Sequence, residues 1–370
     1  MGINTVFNFS AGPAMLPKPV VAQIQKDLPS WYKGMSVMEL GHRIPQVIAM
    51  AKETQDIIKD LLQIPDNFKI LFMQGGARTQ FSAVPLNLLG ENKAVLPANY
   101  LITGHWSSQA AREAEKYTKI HYINNVVFLP KSEVEDTVFQ YPAAYIHLTD
   151  NETIDGVELA HLPVGPAHLS NPLPLVIDAT SSILTKTLDF NNANIGLVYA
   201  ASQKNLGIAG LTLVIVRDDL IGKAHPLTPK MLDYFAVSQS DSMLNTPPVF
   251  VWYVMNLVVK WVQEQGGVPA METRALEKSK LLYDTIDNSS LYTNTVDPKW
   301  RSRLNISFRL ANNDLESRFL KEAEENGLYY LKGHKVLGGI RASLYNAMPL
   351  EGVQALVKFM KAFETQHSVS

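Results

Sequence analysis

The chain contains no cysteine. That absence removes disulfide bridges, zinc–thiolate centres and thiol nucleophiles together, and it fits a reducing compartment. It has no excess of one charge: 33 basic and 35 acidic residues leave a formal charge of −2. Neither a nucleic-acid-binding face nor an acidic tail is written into that balance. Long apolar runs are missing too. The most apolar stretch, VFVWYVMNLVVKWV from Val249 to Val262, is interrupted by Asn256 and Lys260. It is too short to span a bilayer and reads as a buried core helix. The opening MGINTVFNFSAGPAMLPKP lacks the basic start and apolar run of a signal peptide, and Val6 stands where a myristoylation signal wants Ser or Thr. There is no internal repeat and no low-complexity tract. The expectation is a soluble, cytoplasmic protein with no membrane or nucleic-acid partner.

What is present is a chain of 370 residues, 46% hydrophobic, which suffices for a large core. Short apolar runs alternate with helix-like stretches through its middle. KILFMQ (Lys69–Gln74), NKAVLPA (Asn92–Ala98), AAYIHLT, LPLVIDA, IGLVYAA and LTLVIV read as strands, while TQFSAVPLNLL and HWSSQAAREAEKY read as helices. Continuous apolar runs point to strands buried on both faces, and their alternation with helices to a mostly parallel α/β sheet. Three of the strands crowd between Pro174 and Val216 with little room for helices, so some neighbours there are expected to be antiparallel. Beyond Val262 the pattern changes. METRALEKSKLLYDTIDNS, RLNISFRL, NDLESRFLKEAEENG, GIRASLYNA and PLEGVQALVKFMKAFETQ alternate helix and strand, with Gly327 a natural helix stop. A small α+β domain is expected over residues 263–370, joined by the N-terminal segment 1–14, beside a large domain over 15–262.

Five stretches can carry chemistry. LFMQGGARTQF places two glycines between a buried strand and a helix, where free N–H groups and the helix dipole favour an anion; alone it is also an ordinary tight turn. The patterns G-x-x-x-x-G-K-[ST] and G-x-G-x-x-G are both absent. LPLVIDATSS ends an apolar strand on Asp178, where α/β sheets bind ligands, or where Asp caps the following turn. LVYAASQKNLGIAG sets Lys204 among small residues between two apolar strands. Such a lysine snorkels, pairs with a carboxylate, or has a depressed pKa and acts as a nucleophilic amine. Trp106 opens a helix beside polar residues and can stack on a planar ring. In DSMLNTPPVF, Asn245 or Thr246 can cap the helix that the prolines start, or bind an anion there. Together these parts fit pyridoxal phosphate, which needs a lysine, an acid opposite its ring nitrogen, a stacking surface and a phosphate cup.

FNFSAGPAMLP, NETIDGVEL from Asn151, QKN from Gln203, NTPP from Asn245 and GIRASLYNAMPLEGV from Gly339 occur in that order. On these motifs, across nearly the whole length, the chain resembles the phosphoserine aminotransferase family. That is a fold-type I, class V group of pyridoxal-phosphate enzymes. The resemblance implies a large domain with a mostly parallel seven-stranded sheet flanked by helices. It implies that Lys204 carries the cofactor and, once freed, shuttles a proton at the substrate Cα, and that Asp178 keeps the ring nitrogen protonated. Trp106 would stack on the ring, Ala77, Arg78 and Gln203 would meet its phosphate, and Thr153 its hydroxyl side. Asn245 and Thr246 would reach the cofactor phosphate of a neighbouring subunit, so the family implies a homodimer.

Phosphoserine and glutamate each bring an α-carboxylate and a second anion. The resemblance gives Arg341 the α-carboxylate, His42, Arg43 and His334 the distal anion, and Ser10 a contact from the N-terminal segment. Lys335 joins that group, standing where the family commonly has arginine, which replaces a two-pronged donor by a point charge. Ile208 replaces a common proline, and LTKT a common Ser-Arg-Pro. The implied reaction moves an amino group from glutamate to 3-phosphohydroxypyruvate in serine biosynthesis, with a phosphorylated hydroxythreonine of pyridoxine biosynthesis as a further substrate. Two other readings stay open. One is another fold-type I enzyme of the alanine–glyoxylate type. The other is a homologue that binds the cofactor without catalysis. A cysteine desulfurase is excluded by the missing cysteine.

Overall fold

The computed structural model describes residues 6–90, 96–124, 138–163, 173–191, 194–312 and 314–367. In chain order the strands are β1 (Phe7–Asn8), β2 (Phe68–Gly75), β3 (Ala98–Ile102), β4 (Ile120–Asn124), β5 (Ile146–Thr149), β6 (Asn151–Glu152) and β7 (Val157–Glu158). They continue with β8 (Leu175–Asp178), β9 (Ile195–Ala201), β10 (Gly210–Arg217), β11 (Tyr292–Thr293), β12 (Asn305–Leu310), β13 (Leu328–Tyr329) and β14 (Ile340–Ser343). The helices used below are α1 (Lys18–Asp27), α2 (Pro45–Leu62), α3 (Ala77–Leu88), α4 (His105–Ala114), α5 (Val249–Glu264), α6 (Gly267–Asp287), α7 (Asp314–Glu325) and α8 (Leu350–His367).

Seven strands form one sheet in the order β2-β10-β9-β8-β5-β3-β4. All neighbours are parallel except β10, which is antiparallel to both β2 and β9. The apolar runs explain why the sheet is covered on both sides. Ile70, Phe72, Ile177, Val198, Ala200, Leu213 and Ile215 point into one core, against α1, α2 and α5. Their chain neighbours Leu71, Met73, Val176, Leu197, Tyr199, Val214 and Val216 point into the other, against α3 and α4. A strand alternates faces with a period of two, so strands sandwiched between helix layers must be apolar at every position. The stretch Val249–Val262 is indeed a buried helix, α5, with Trp252, Val254, Met255 and Val259 enclosed. Among the described residues no helix is long and apolar enough to cross a membrane.

A second core gathers Leu282 and Ile286 of α6 with β12, β14, α7 and α8, and with Phe7 and Phe9 from the start of the chain. There β1 pairs parallel to β13, and β11-β12-β14 form an antiparallel sheet. Helix α6 spans both cores, because Val268 and Met271 near its start pack into the first. It begins at Gly267, ahead of the METR stretch, and Pro269 is tolerated in its first turn because no helical acceptor waits for an N–H there.

One strand lies elsewhere than the sequence suggests. Of the expected Asn92–Ala98, residues 91–95 fall outside the described residues, Leu96 and Pro97 are not in a strand, and β3 occupies Ala98–Ile102. Pro97 has no N–H, so sheet donation starts at Ala98, whose N–H reaches the Lys119 carbonyl at 3.1 Å.

Buried polar side chains join the two cores. Asn151 Nδ2 donates to Ser181 Oγ (2.9 Å) and Asn305 Oδ1 (2.8 Å), and Ser302 Oγ donates to Asn151 Oδ1 (2.6 Å). Asn305 Nδ2 donates in turn to Ser343 Oγ and Tyr345 Oη. Removing Asn305 would strand several buried partners. Asn305→Ala is expected to cost about 2–3 kcal/mol, read as a lower urea midpoint; an unchanged midpoint would show that the network contributes nothing net.

Candidate active site

Because β10 is antiparallel to both neighbours, β2 runs parallel to β9, and β2, β5, β8 and β9 end at one edge of the sheet. A cavity of about 400 Å³ opens over that edge, the side on which α/β sheets hold ligands. A groove of about 880 Å³ between α1, α2 and α5 is larger, but it is lined by Trp31, Tyr253 and the Glu53–Lys260 ion pair and offers no free nucleophile.

Lys204 lies in the connection between β9 and β10 and lines the cavity. The connection is pinned by Ser202, whose hydroxyl donates to the Ile208 carbonyl, and by Asn205, which donates to the Ser181 carbonyl at 2.8 Å. Gly12 packs on the lysine stem. Its φ is +143°, and a Cβ there would stand 3.5 Å from Lys204 Cγ. The Lys204 amine has no hydrogen bond or ion pair within reach among the described residues. Burial lowers its pKa to about 8; the Asp178 carboxylate opposes that shift and Arg341 adds to it. Asp178, at the end of β8, is buried and accepts the Thr180 N–H at 3.0 Å. It lacks an ion-pair partner among the described residues, and burial raises its pKa. A lysine short of a partner and a buried acid short of a cation thus share one cavity.

The other walls supply anion donors and a flat surface. Gly76 leads into α3 with no side-chain cap, so the first N–H groups of the helix lack a side-chain acceptor, and Gly76, Ala77 and Arg78 line the cavity together with Gln203. Trp106 in the first turn of α4 donates its indole N–H to Thr153 Oγ1 at 2.8 Å, and the Arg78 guanidinium lies 5.4 Å from its ring. Arg341 on β14 donates to the Thr153 carbonyl at 3.3 Å. His334 sits beside it, its ring centroid 5.7 Å from that of His105. Burial first, then Arg341, His105 and Lys335, push the His334 pKa down. An anion placed among these groups would reverse that push.

Nine of the residues singled out from sequence therefore line one cavity: Ala77, Arg78, Trp106, Thr153, Asp178, Gln203, Lys204, His334 and Arg341. Six do not line it. Ser10 precedes the lining pair Ala11 and Gly12. Lys335 is exposed next to His334. His42 is buried with Nε2 lacking a partner, and Arg43 beside it is exposed. Asn245 and Thr246 are exposed and rest on Gln74, which donates to the Thr246 carbonyl at 2.7 Å. Sequence reasoning passed over Thr149, Asn151, Thr180 and Ser181, which also line the cavity, and Glu152 and Asp155 behind Trp106. NETIDG contained the signal: two carboxylates and an asparagine in a short loop directly after a buried strand.

A model of the class-V aminotransferases matches residues 6–356. The chain belongs to that family. It is 46% identical to a phosphoserine aminotransferase from Haemophilus ducreyi, over 98% of this chain and 99% of the relative, which places it in the phosphoserine aminotransferase branch. A solved phosphoserine aminotransferase from Bacillus circulans subsp. alkalophilus superposes with a TM-score of 0.91 at 41% identity, covering 98% of this chain and 99% of that one. A pyridoxal-phosphate-bound phosphoserine aminotransferase from Trichomonas vaginalis gives 0.89 at 36% identity, covering 96% and 100%. The fold is that of the fold-type I family, with a large, mostly parallel sheet and a smaller C-terminal α+β part.

The shifted amine is directly measurable. In the cofactor-free protein, Lys204 is expected to react with trinitrobenzenesulfonate in a fast phase whose midpoint lies near pH 8, lost in Lys204→Ala. Between about pH 8 and the ordinary lysine range, the unfolded chain keeps a proton that the folded chain has released, so this group favours folding increasingly as pH rises through that window. A fast phase with an ordinary lysine midpoint would contradict the burial argument.

Proposed function

We propose that the protein is a pyridoxal-phosphate-dependent phosphoserine aminotransferase. It moves an amino group between glutamate and 3-phosphohydroxypyruvate, giving O-phospho-L-serine and 2-oxoglutarate in serine biosynthesis. The observation that carries this is the pairing, in one cavity, of a half-buried lysine whose amine has no hydrogen-bond or ion-pair partner among the described residues with a buried carboxylate that has no cationic partner there, next to an uncapped helix start. A cationic ring nitrogen would complete Asp178, and a phosphate would complete the α3 terminus, so the residues present fit the cofactor. Pyridoxal phosphate, when bound, supplies an electrophilic carbon and an electron-withdrawing ring.

The chain's own residues would do the rest. The Lys204 amine would hold the cofactor and, when free, take and return the proton at the substrate Cα. Its lowered pKa keeps a useful fraction neutral near pH 8. Asp178 would hold a proton on the ring nitrogen. Trp106 would cover one ring face and exclude water. Ala77, Arg78 and Gln203 would bind the phosphate. Thr153, whose oxygen accepts the indole N–H, keeps its own hydroxyl hydrogen for the ring oxygen. Arg341 would grip the α-carboxylate in a fork, and His334 with Lys335 would receive the distal anion. Ser10 would approach from the segment that covers Lys204.

Four residues remain for a second copy. His42, Arg43, Asn245 and Thr246 would complete the cavity of a partner subunit, making a homodimer with shared sites. The large apolar side chains of Met38 and Leu244, in these same two segments, are exposed at 63% and 37% in the single chain, as an uncovered interface requires. The alanine–glyoxylate alternative has less support, because a small neutral side chain would not need His334, Lys335 and the His42–Arg43 pair.

The test is the visible spectrum of the purified holoprotein. O-phospho-L-serine is expected to discharge the cofactor's yellow band, while serine and alanine leave it nearly unchanged. Discharge only by unphosphorylated amino acids would overturn the substrate assignment, and a protein that stays colourless with added cofactor would overturn the enzyme. Lys204→Ala should lower kcat on the order of 10³-fold without unfolding the chain.

A further inference from the structure

Helix α4 carries the Trp106 ring, yet its N-cap position is Gly104, which has no side chain to reach the helix N–H groups; the helix's own Ser107 hydroxyl accepts only from the Thr103 and Gly104 N–H groups that precede it. The first three N–H groups of the helix are satisfied from elsewhere. His105 N–H donates to Asp155 Oδ2, Trp106 N–H to Glu152 Oε2 and Ser107 N–H to Glu152 Oε1, each at 2.8 Å. Ser108 N–H then makes the first turn's bond to the Gly104 carbonyl. Glu152 is fully buried. Thr153, between the two acids, takes the indole N–H of the same tryptophan. One loop thus grips Trp106 at its backbone and at its ring.

Gly104 is what lets the acids approach. A Cβ there would lie 2.7 Å from both Asp155 Cγ and Glu152 Cδ, inside any tolerable contact. The helix dipole and the N–H donors favour the charged carboxylates, but at Glu152 burial outweighs them and raises its pKa to about 7. Glu152 is near enough to Lys204 to hold some positive charge on its amine.

We infer that Glu152 and Asp155 are positioning residues for the ring-stacking surface: they act through the first turn of α4 to set the plane of Trp106 over the cofactor. This rests on the cofactor reading above. The carboxylates replace a cap that any ordinary N-cap residue could supply, and they do so from the loop that also holds Thr153. The plane of the tryptophan and the ring-facing hydroxyl are thereby set by one rigid unit.

The experiment titrates the apoproteins of wild type, Glu152→Gln, Asp155→Asn and Gly104→Ala with pyridoxal phosphate, following visible circular dichroism and binding, beside urea unfolding of each apoprotein. Gln keeps the size but turns one acceptor into a donor facing an N–H, so Glu152→Gln should raise the Kd about tenfold or more and weaken the dichroism per bound cofactor. Gly104→Ala keeps both carboxylates and pushes them off the helix. It should reproduce the effect, and it carries the test if Glu152→Gln fails to fold. Variants that lose stability while the bound cofactor keeps wild-type dichroism and Kd would assign these residues to the fold alone and overturn the inference. A wild-type apoprotein that binds no pyridoxal phosphate overturns the cofactor reading, and this inference with it.

Discussion

The hydrogen bonds made by residues 151–155 are the constraint on which the rest of the site depends. Asn151 ties the end of the sheet to Ser181 and, through Asn305 and Ser302, to the second core. Glu152 and Asp155 hold α4, Thr153 holds the tryptophan ring and Arg341, and the Ile154 carbonyl accepts from Ser307. Five consecutive residues therefore fix the relative positions of three bodies: the sheet edge with Asp178 and Lys204, the stacking helix, and the strand bearing Arg341. Buried networks of this kind are stable only when every member is satisfied, which couples the parts: none can shift without leaving a polar group unpaired.

Electrostatics divides the cavity. On the sheet side, the carboxylates of Asp178 and Glu152 counter the positive charge on Lys204. On the other side, Arg341, His334 and His105 crowd together and lower the His334 pKa after burial has done so. A substrate carrying two anionic groups and an amine suits such a division, because each of its charges finds the opposite sign. The same division explains why Lys204 combines a lowered pKa with a nearby acid. Burial dominates, and the acid moderates it.

The strands and most helices were legible in the sequence because burial on both sheet faces leaves no room for polar residues, and apolar runs mark such strands without ambiguity. β9 falls where IGLVYAA predicts it, and the antiparallel placement of β10 follows from the crowding of strands before Val216. Edge elements were harder. β4, IHYIN, is half polar because one side of it is uncovered, and β3 was displaced because propensity ignored the missing donor of Pro97. Within the site, Lys204 and Asp178 could be found because a charged residue inside an apolar run is conspicuous. Glu152 and Asp155 were marked only by their place in NETIDG directly after a buried strand, and acids in a loop look solvated until the fold brings a helix terminus onto them. His42, Arg43, Asn245 and Thr246 are a different case: the resemblance assigned them to a site, but the single chain does not bring them to its own cavity, because their proposed targets lie on another copy.

The β9–β10 hairpin has a consequence for how the cofactor relates to folding. The connection holding Lys204 is local in sequence, whereas the cavity around it draws on residues from Ala11 to Arg341. A ligand that needs contacts from nearly the whole chain finds no partial site to occupy and binds only the finished molecule. Its full affinity then adds to stability, by about 2.7 kcal/mol at a hundredfold excess over Kd. The supply of cofactor in a cell would thereby set not only how much of this protein is active but how much of it stays folded.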